Sequence, residues 1–256
     1  MSAVRRAAAG RWGGLAGLLA LIGAWWLLAA LRVANGTVPS PWQVVHTMYT
    51  DGWALYGPNF RVTAWVALQG FLWGNVLAIA LAVLVLLIPP IEMLVTQLAI
   101  LSYCTPLLAL GPLILVVFGG RTPSVFLAAM YCFFTTMVGT VAGLRSADAA
   151  SLDLIRAYGG GRWQELRRVR LLAALPNTLA ALKIAAPSAV LGAIIGEYLG
   201  GVDSGIGMAL TAAQNQYEVP RVWGMALAAA ALAGLGYAAV ALVARFVVPW
   251  TRVDQW

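Results

Sequence analysis

Apolar residues run in long blocks through most of this chain, and within the blocks they do not alternate with polar ones. The stretch NVLAIALAVLVLLI, residues 75–88, is typical. Strands of a membrane barrel alternate in segments of roughly ten residues, whereas a helix crossing a bilayer needs about 20 predominantly apolar ones. The pattern predicts an all-α integral membrane protein with about six transmembrane helices, over about 13–33, 62–88, 91–118, 123–144, 178–200 and 221–248. The whole chain, 1–256, reads as a single transmembrane domain. The first block follows a basic start but is longer than the usual 7–15 residues of a secretory core, so it reads as a retained span. Pro106 and Pro112 break span three, and Pro176 and Pro187 fall in or near span five. Such prolines are tolerated where neighbours or water satisfy the freed carbonyls.

Between spans one and two, TVPSPWQVVHTMYTDG carries a helix start. Ser40 suits the N-cap, Pro41 the first helical position, and Gln43 completes a capping box. Trp42, Val45 and Tyr49 then share one side, which predicts a short helix lying at the membrane interface. Gly13/Gly17, Gly70/Gly74 and Gly192/Gly196 place small residues four apart, the spacing that lets helix backbones approach closely. Packing within the chain is the expected use.

One stretch departs from the pattern. RAYGGGRWQELRRVR, Arg156 to Arg170, holds five arginines and a glutamate around three glycines. The loop between spans four and five, about 145–176, is long for a helix connection, and long connections tend to be functional. Asp148 favours a helix start. Leu152, Ile155 and Tyr158 form an apolar stripe, and Gly159 is placed to end the helix in a left-handed conformation. A second helix follows, with Trp163, Leu166 and Val169 on one face and Arg167, Arg168 and Arg170 off it. A stripe of this kind projecting into water calls for a partner groove, and the basic belt suits anionic lipid headgroups. The glycines are not a phosphate loop, because no G-K-[ST] follows. Nucleic acid is not expected, since no aromatic–basic alternation accompanies the charges.

Composition agrees with this pattern. The chain is 62% hydrophobic and 10% charged, against roughly 25% charged in soluble domains, and its mean hydropathy is +0.85. The net charge of +7 matters by location. With the N-terminus inside, twelve of the 16 basic residues fall on the cytoplasmic side, and only Arg32, Arg61, Arg121 and Arg221 fall outside. The positive-inside rule thus predicts cytoplasmic termini and a cytoplasmic arginine cassette. Cys104 and Cys132 lie in spans, where free cysteine acts as a small apolar residue. His46 stands alone, without metal-ligand spacing.

The segment DLIRAYGGGRWQELRRVRLLAALP resembles the EAA loop of ABC-importer permeases, in the subfamily serving nitrate, taurine, alkanesulfonates and related small solutes. That motif reads roughly E-A-A-x-x-x-G, nine residues, then I-x-L-P. Asp153 falls on the glutamate, Leu154 and Ile155 on the alanines, and Gly159 on the glycine. Val169 falls on the isoleucine and Leu171 on the leucine, while Leu172 replaces the proline and Pro176 follows it. VPSPWQVV, PLLALGPLILVVFG, GEYLGGVDSGIGMAL and PWTR resemble the same subfamily in the same order, so the likeness covers about 36–252.

The resemblance implies a permease subunit of an ATP-driven importer in the bacterial inner membrane, with no ATPase chemistry of its own. Its coupling helix, Asp153, Leu154, Ile155, Arg156, Ala157, Tyr158, Gly159 and Gly160, would dock on a cytoplasmic ABC ATPase subunit. That partner would bind ATP and Mg, and this chain would bind no cofactor. A second permease copy or paralogue and an extracytoplasmic solute-binding protein would complete the assembly.

Polar groups within spans are costly and so mark candidate paths. Tyr103, Thr105, Thr135, Thr136, Glu197, Gln214 and Asn215 are the candidates; Glu197 would repel an anion in an open path, so either it has a basic partner, such as Arg221, or the solute is not a simple anion. A self-sufficient secondary carrier or channel is the alternative, but it usually carries inverted repeats, and no convincing repeat is present. An intramembrane enzyme is disfavoured, since no Ser–Lys pair, His cluster or paired carboxylates fall in the spans.

Overall fold

The computed structural model describes residues 16–17, 19–31, 37–104, 107–199 and 202–249. Among these there is no β-strand. α1, Leu19–Ala30, is a short apolar helix. α2, Pro41–Leu87, joins two helices across Gly52, whose φ of 65° makes the bend. α3, Glu92–Cys104, and α4, Leu107–Phe118, follow. α5 is Thr122–Arg145 and α6 is Ala149–Ala157. α7, Arg162–Glu165, runs through a π-helical turn at Leu166–Arg170 into α8, Leu171–Tyr198. α9, Ile206–Asn215, and α10, Val219–Val247, complete the described chain. Among the described residues, four stretches are long and apolar enough to cross a membrane: α2, α5, Arg162–Tyr198 and α10.

The start of α2 follows its sequence signals. Ser40 accepts from the Gln43 backbone, and the Gln43 side chain accepts from the Ser40 backbone at 2.9 Å. Trp42, Val45 and Tyr49 are all exposed, as a helix lying on an interface requires. Elsewhere the expectation was coarser than the structure. Span three is described over Glu92–Cys104 and Leu107–Phe118, and Pro106 lies outside the described residues. Span five does not begin near 178: the second helix of the cassette runs directly into it, and α8 continues past Pro176 and Pro187. α9 was not foreseen, being a short polar-ended segment in what read as an outer loop.

α5 is the central helix, packed between α2 and α8. The sequence makes this possible by placing glycine wherever two backbones meet. A Cβ on Gly70 of α2 would lie 2.3 Å from the Ala128 Cβ, and one on Gly192 of α8 would lie 2.7 Å from the Ala128 Cα. Ala128 is accordingly fully buried between them. Gly74 meets the Ala129 carbonyl and Gly196 meets Ser124 in the same way. Two of the three expected glycine pairs thus pack within the chain. Gly17 meets nothing within 4 Å, and Gly13 lies outside the described residues.

Without a hydrophobic driving force between helices in lipid, such close approach is the main source of attraction. Gly196→Val should therefore cost at least about 1–3 kcal/mol, the usual range for overpacking, because its new Cβ would lie 2.3 Å from backbone that cannot yield. Gly17→Val should leave thermal stability in detergent unchanged. Equal melting of the two variants would contradict this packing.

Candidate functional site

The two ends of the bundle carry the polar chemistry. At one end, α6 and α7 form a hairpin between α5 and α8. Asp148 caps α6, its carboxylate accepting from the Ser151 backbone N–H and from the Ser151 hydroxyl, both at 3.0 Å. Those bonds hold the Asp148 carboxyl below the usual carboxylate range. At the other end of α6, Gly159 takes φ 75°. Its N–H donates to the Arg156 carbonyl at 2.9 Å, and the Gly160 N–H donates to the Ile155 carbonyl at 2.9 Å. This is the paired Schellman pattern, which satisfies carbonyls that a helix end leaves bare. Gly160 has no room for a side chain, since a Cβ would lie 2.7 Å from the Ile155 carbonyl oxygen.

The cassette's arginines divide into two groups. Glu165 is buried, and one of its oxygens accepts from Arg156 Nε at 2.8 Å while the other accepts from an Arg170 terminal nitrogen at 3.1 Å. Arg156 also reaches Asp153 at 3.2 Å. Arg170 donates to the Leu144 carbonyl at 3.2 Å and Arg162 to the Leu87 carbonyl at 3.4 Å, so both bond carbonyls at helix ends. These bonds tie the hairpin to the ends of α2 and α5. Arg167 and Arg168 are exposed and free to face headgroups. Beside the knot, Arg145 pairs with Glu92 across α5 and α3.

The expected stripe splits in two. Leu152 is buried against the bundle and Ile155 is half-buried. Leu154 and Tyr158 are exposed, the latter at 86%, with Ala157 exposed beside them. Helical geometry puts 154, 157 and 158 on one face. The uncovered face is therefore Leu154–Ala157–Tyr158, not Leu152–Ile155–Tyr158. Trp163 is exposed next to it.

At the opposite end, Glu197 is 1% exposed. Its Oε2 accepts from the Thr63 hydroxyl at 2.8 Å and from the Gly207 N–H at 2.9 Å. Thr63 in turn accepts from the Ile206 N–H at 2.8 Å, and the Asn59 side chain accepts from the Gly205 N–H at 2.8 Å. These bonds fasten the start of α9 to α2 and α8. Gly205, with φ 137°, is required there: a Cβ would sit 2.4 Å from the Glu197 carboxyl carbon. Sequence reasoning missed Asn59 and Thr63, although their spacing of four put two polar groups on one helical face.

Arg221, named above as an example of a basic partner for Glu197, does not pair with it. Arg221 instead holds Asp51 through two nitrogens, each at 2.7 Å, and pairs with Glu218. A bidentate guanidinium–carboxylate pair of this kind is the stronger arrangement, and Asp51 stands at the bend of α2 where the α10 start meets it. The other path candidates scatter. Thr136 is fully buried and donates to Asn75 across α5 and α2. Thr135 is half-buried, while Gln214 and Asn215 are exposed on α9, Gln214 accepting from the Tyr198 hydroxyl at 2.9 Å. Thr105 and the side chain of Tyr103 lie outside the described residues.

Long apolar helices bundled around α5, with one polar hairpin at their end, are the build of a membrane-embedded protein. The chain belongs to the family of binding-protein-dependent transport system inner membrane components, whose model matches residues 74–253. It is 28% identical to the formylaminopyrimidine transport permease protein ThiX of Halalkalibacterium halodurans, over 89% of this chain and 91% of that protein. It is 28% identical to the putative aliphatic sulfonates transport permease protein SsuC of Bacillus subtilis, over 94% and 89%. The riboflavin transport system permease protein RibX of Chloroflexus aurantiacus is 32% identical over 58% of this chain and 56% of that protein. The chain is thus a multi-pass permease component of an ABC importer.

Proposed function

We propose that the Asp148–Arg170 hairpin is the coupling element on which a cytoplasmic ATP-binding subunit sits, with Leu154, Ala157 and Tyr158 at the contact and Asp153, Ile155, Arg156, Gly159 and Gly160 shaping it. The observation that carries this is an apolar face left in the open on a hairpin that Glu165, Arg156, Arg170 and the glycine turn hold rigid. A preorganised surface binds with less ordering cost than a flexible loop. In this reading the chain is non-catalytic and binds no cofactor, and ATP and Mg belong to the partner.

Both termini lie in the cytoplasm, following the arginine count. An extracytoplasmic binding protein delivers the solute to the end that holds Glu197 and α9, and a second permease copy or paralogue completes the path. Relatives of nearly full length whose names specify a formylaminopyrimidine and aliphatic sulfonates support a small polar organic solute.

The test is a single cysteine placed at Trp163 in a chain whose own cysteines are replaced. It should react with a membrane-permeant maleimide and stay protected from an impermeant one in intact cells. Co-purification in mild detergent should yield an ATP-binding subunit. Labelling from outside, or a chain that purifies alone and carries solute down an ion gradient, would defeat the proposal.

A further inference from the structure

Two of the four basic residues expected at the outer end form no close ion pair among the described residues, although the charge of Arg121 is felt at Glu197. Arg221 is neutralised by Asp51 and Glu218, and Arg32 lies outside the described residues. Arg61 and Arg121 form no ion pair among the described residues, although Arg121 donates to the Ser204 hydroxyl at 3.3 Å. Both line one groove of about 690 Å³, together with Pro58, Phe60, Trp65 and Leu68. The groove opens onto a stripe of exposed side chains running along α2: Trp65, Leu68, Leu72 and Val76. Their spacing of three or four keeps them on one face. From Trp65 to Val76 the stripe covers about 17 Å at 1.5 Å per residue, against roughly 15 Å for one leaflet's share of the hydrocarbon core.

We infer that this groove binds an anionic phospholipid, its phosphate between Arg61 and Arg121 and an acyl chain along Trp65, Leu68, Leu72 and Val76. Charge placement argues for a lipid over other occupants. Two guanidiniums without a salt bridge among the described residues, at the head of an apolar stripe, match an amphiphile with a negative head. A small free anion has no use for the stripe, and an apolar partner helix has no use for the charges. Arginine's planar fork grips phosphate through two parallel hydrogen bonds. Trp65 gives an amphipathic ring at the mouth of the groove, of the kind that settles at headgroup depth, with apolar Phe60 beside it. The site does not depend on which leaflet it faces, so it stands apart from the orientation proposed above.

Native mass spectrometry of the detergent-purified importer complex, titrated with phosphatidylglycerol or with phosphatidylcholine, tests this. Phosphatidylglycerol should be retained in preference. Each arginine near the headgroup contributes about fivefold, so Arg61→Ala with Arg121→Ala should weaken retention about twenty-five-fold. Arg61→Lys with Arg121→Lys should keep most of it, and the melting temperature of the alanine variant should show that the fold survives. Replacing Arg167 and Arg168, at the other end, should not remove this binding. Equal retention of the two lipids, or unchanged retention in the double alanine variant, would overturn the inference. So would displacement of the lipid by glycerol phosphate alone, which marks a small-anion site, or efficient disulfide dimers through Leu72→Cys, which mark a protein partner on the stripe.

Discussion

Tyr158→Asp is expected to separate this permease from its ATP-binding subunit while leaving it in the membrane. Tyr158 is almost wholly exposed and stands at the tip of the open face with Leu154. Its side chain makes no hydrogen bond among the described residues, so removing it costs the fold little; surface changes of this kind stay within about 0.5 kcal/mol. At a contact, an aromatic anchor is commonly worth 2 kcal/mol or more, and a buried unpaired carboxylate adds a further penalty. The expected result is at least about a thirtyfold loss of co-purified ATPase subunit and no solute uptake, with unchanged membrane abundance. A complex that stays intact would remove Tyr158 from the contact.

Glu197→Ala is expected to act in the opposite way, on the fold before the partner. The substitution strips an acceptor from the Thr63 hydroxyl and the Gly207 N–H, both in buried surroundings. Each buried group left unsatisfied costs about 1–3 kcal/mol, so melting should fall markedly and the start of α9 should become open to protease. Glu197→Gln keeps an acceptor oxygen and should fall between the two. If Glu197→Ala melts like the native protein yet fails to transport, the carboxylate serves the solute rather than the loop it fastens.

Much of this was legible in the sequence because membrane helices declare themselves locally. Ser40, Pro41 and Gln43 are consecutive or near neighbours, and their box forms as read. Gly70, Gly74, Gly192 and Gly196 mark close contact whatever their partner, though only the structure shows that the partner is α5. The cassette was recognisable from Gly159 and the density of arginines. Glu165 was not, because its burial depends on Arg156 on one side and Arg170 on the other, which no periodicity reveals. The same holds for Leu152: the stripe's spacing was right, but which edge of it faces the bundle is decided by tertiary packing. The partners of Glu197 were not legible either: Arg221 is only an example of a basic partner, whereas Thr63 lies 134 positions away.

The unbroken run from Arg162 to Tyr198 has a mechanical meaning. Its 37 residues, at 1.5 Å each, make a rod of about 55 Å with the hairpin at one tip and the glutamate fastening at the other. No loop lies between them to absorb displacement. A push delivered beside Trp163 would therefore reach Gly205 and Gly207 as a tilt of one lever, with give where its backbone bonding departs from the α-helix, at the π-helical turn Leu166–Arg170 and at Pro176 and Pro187.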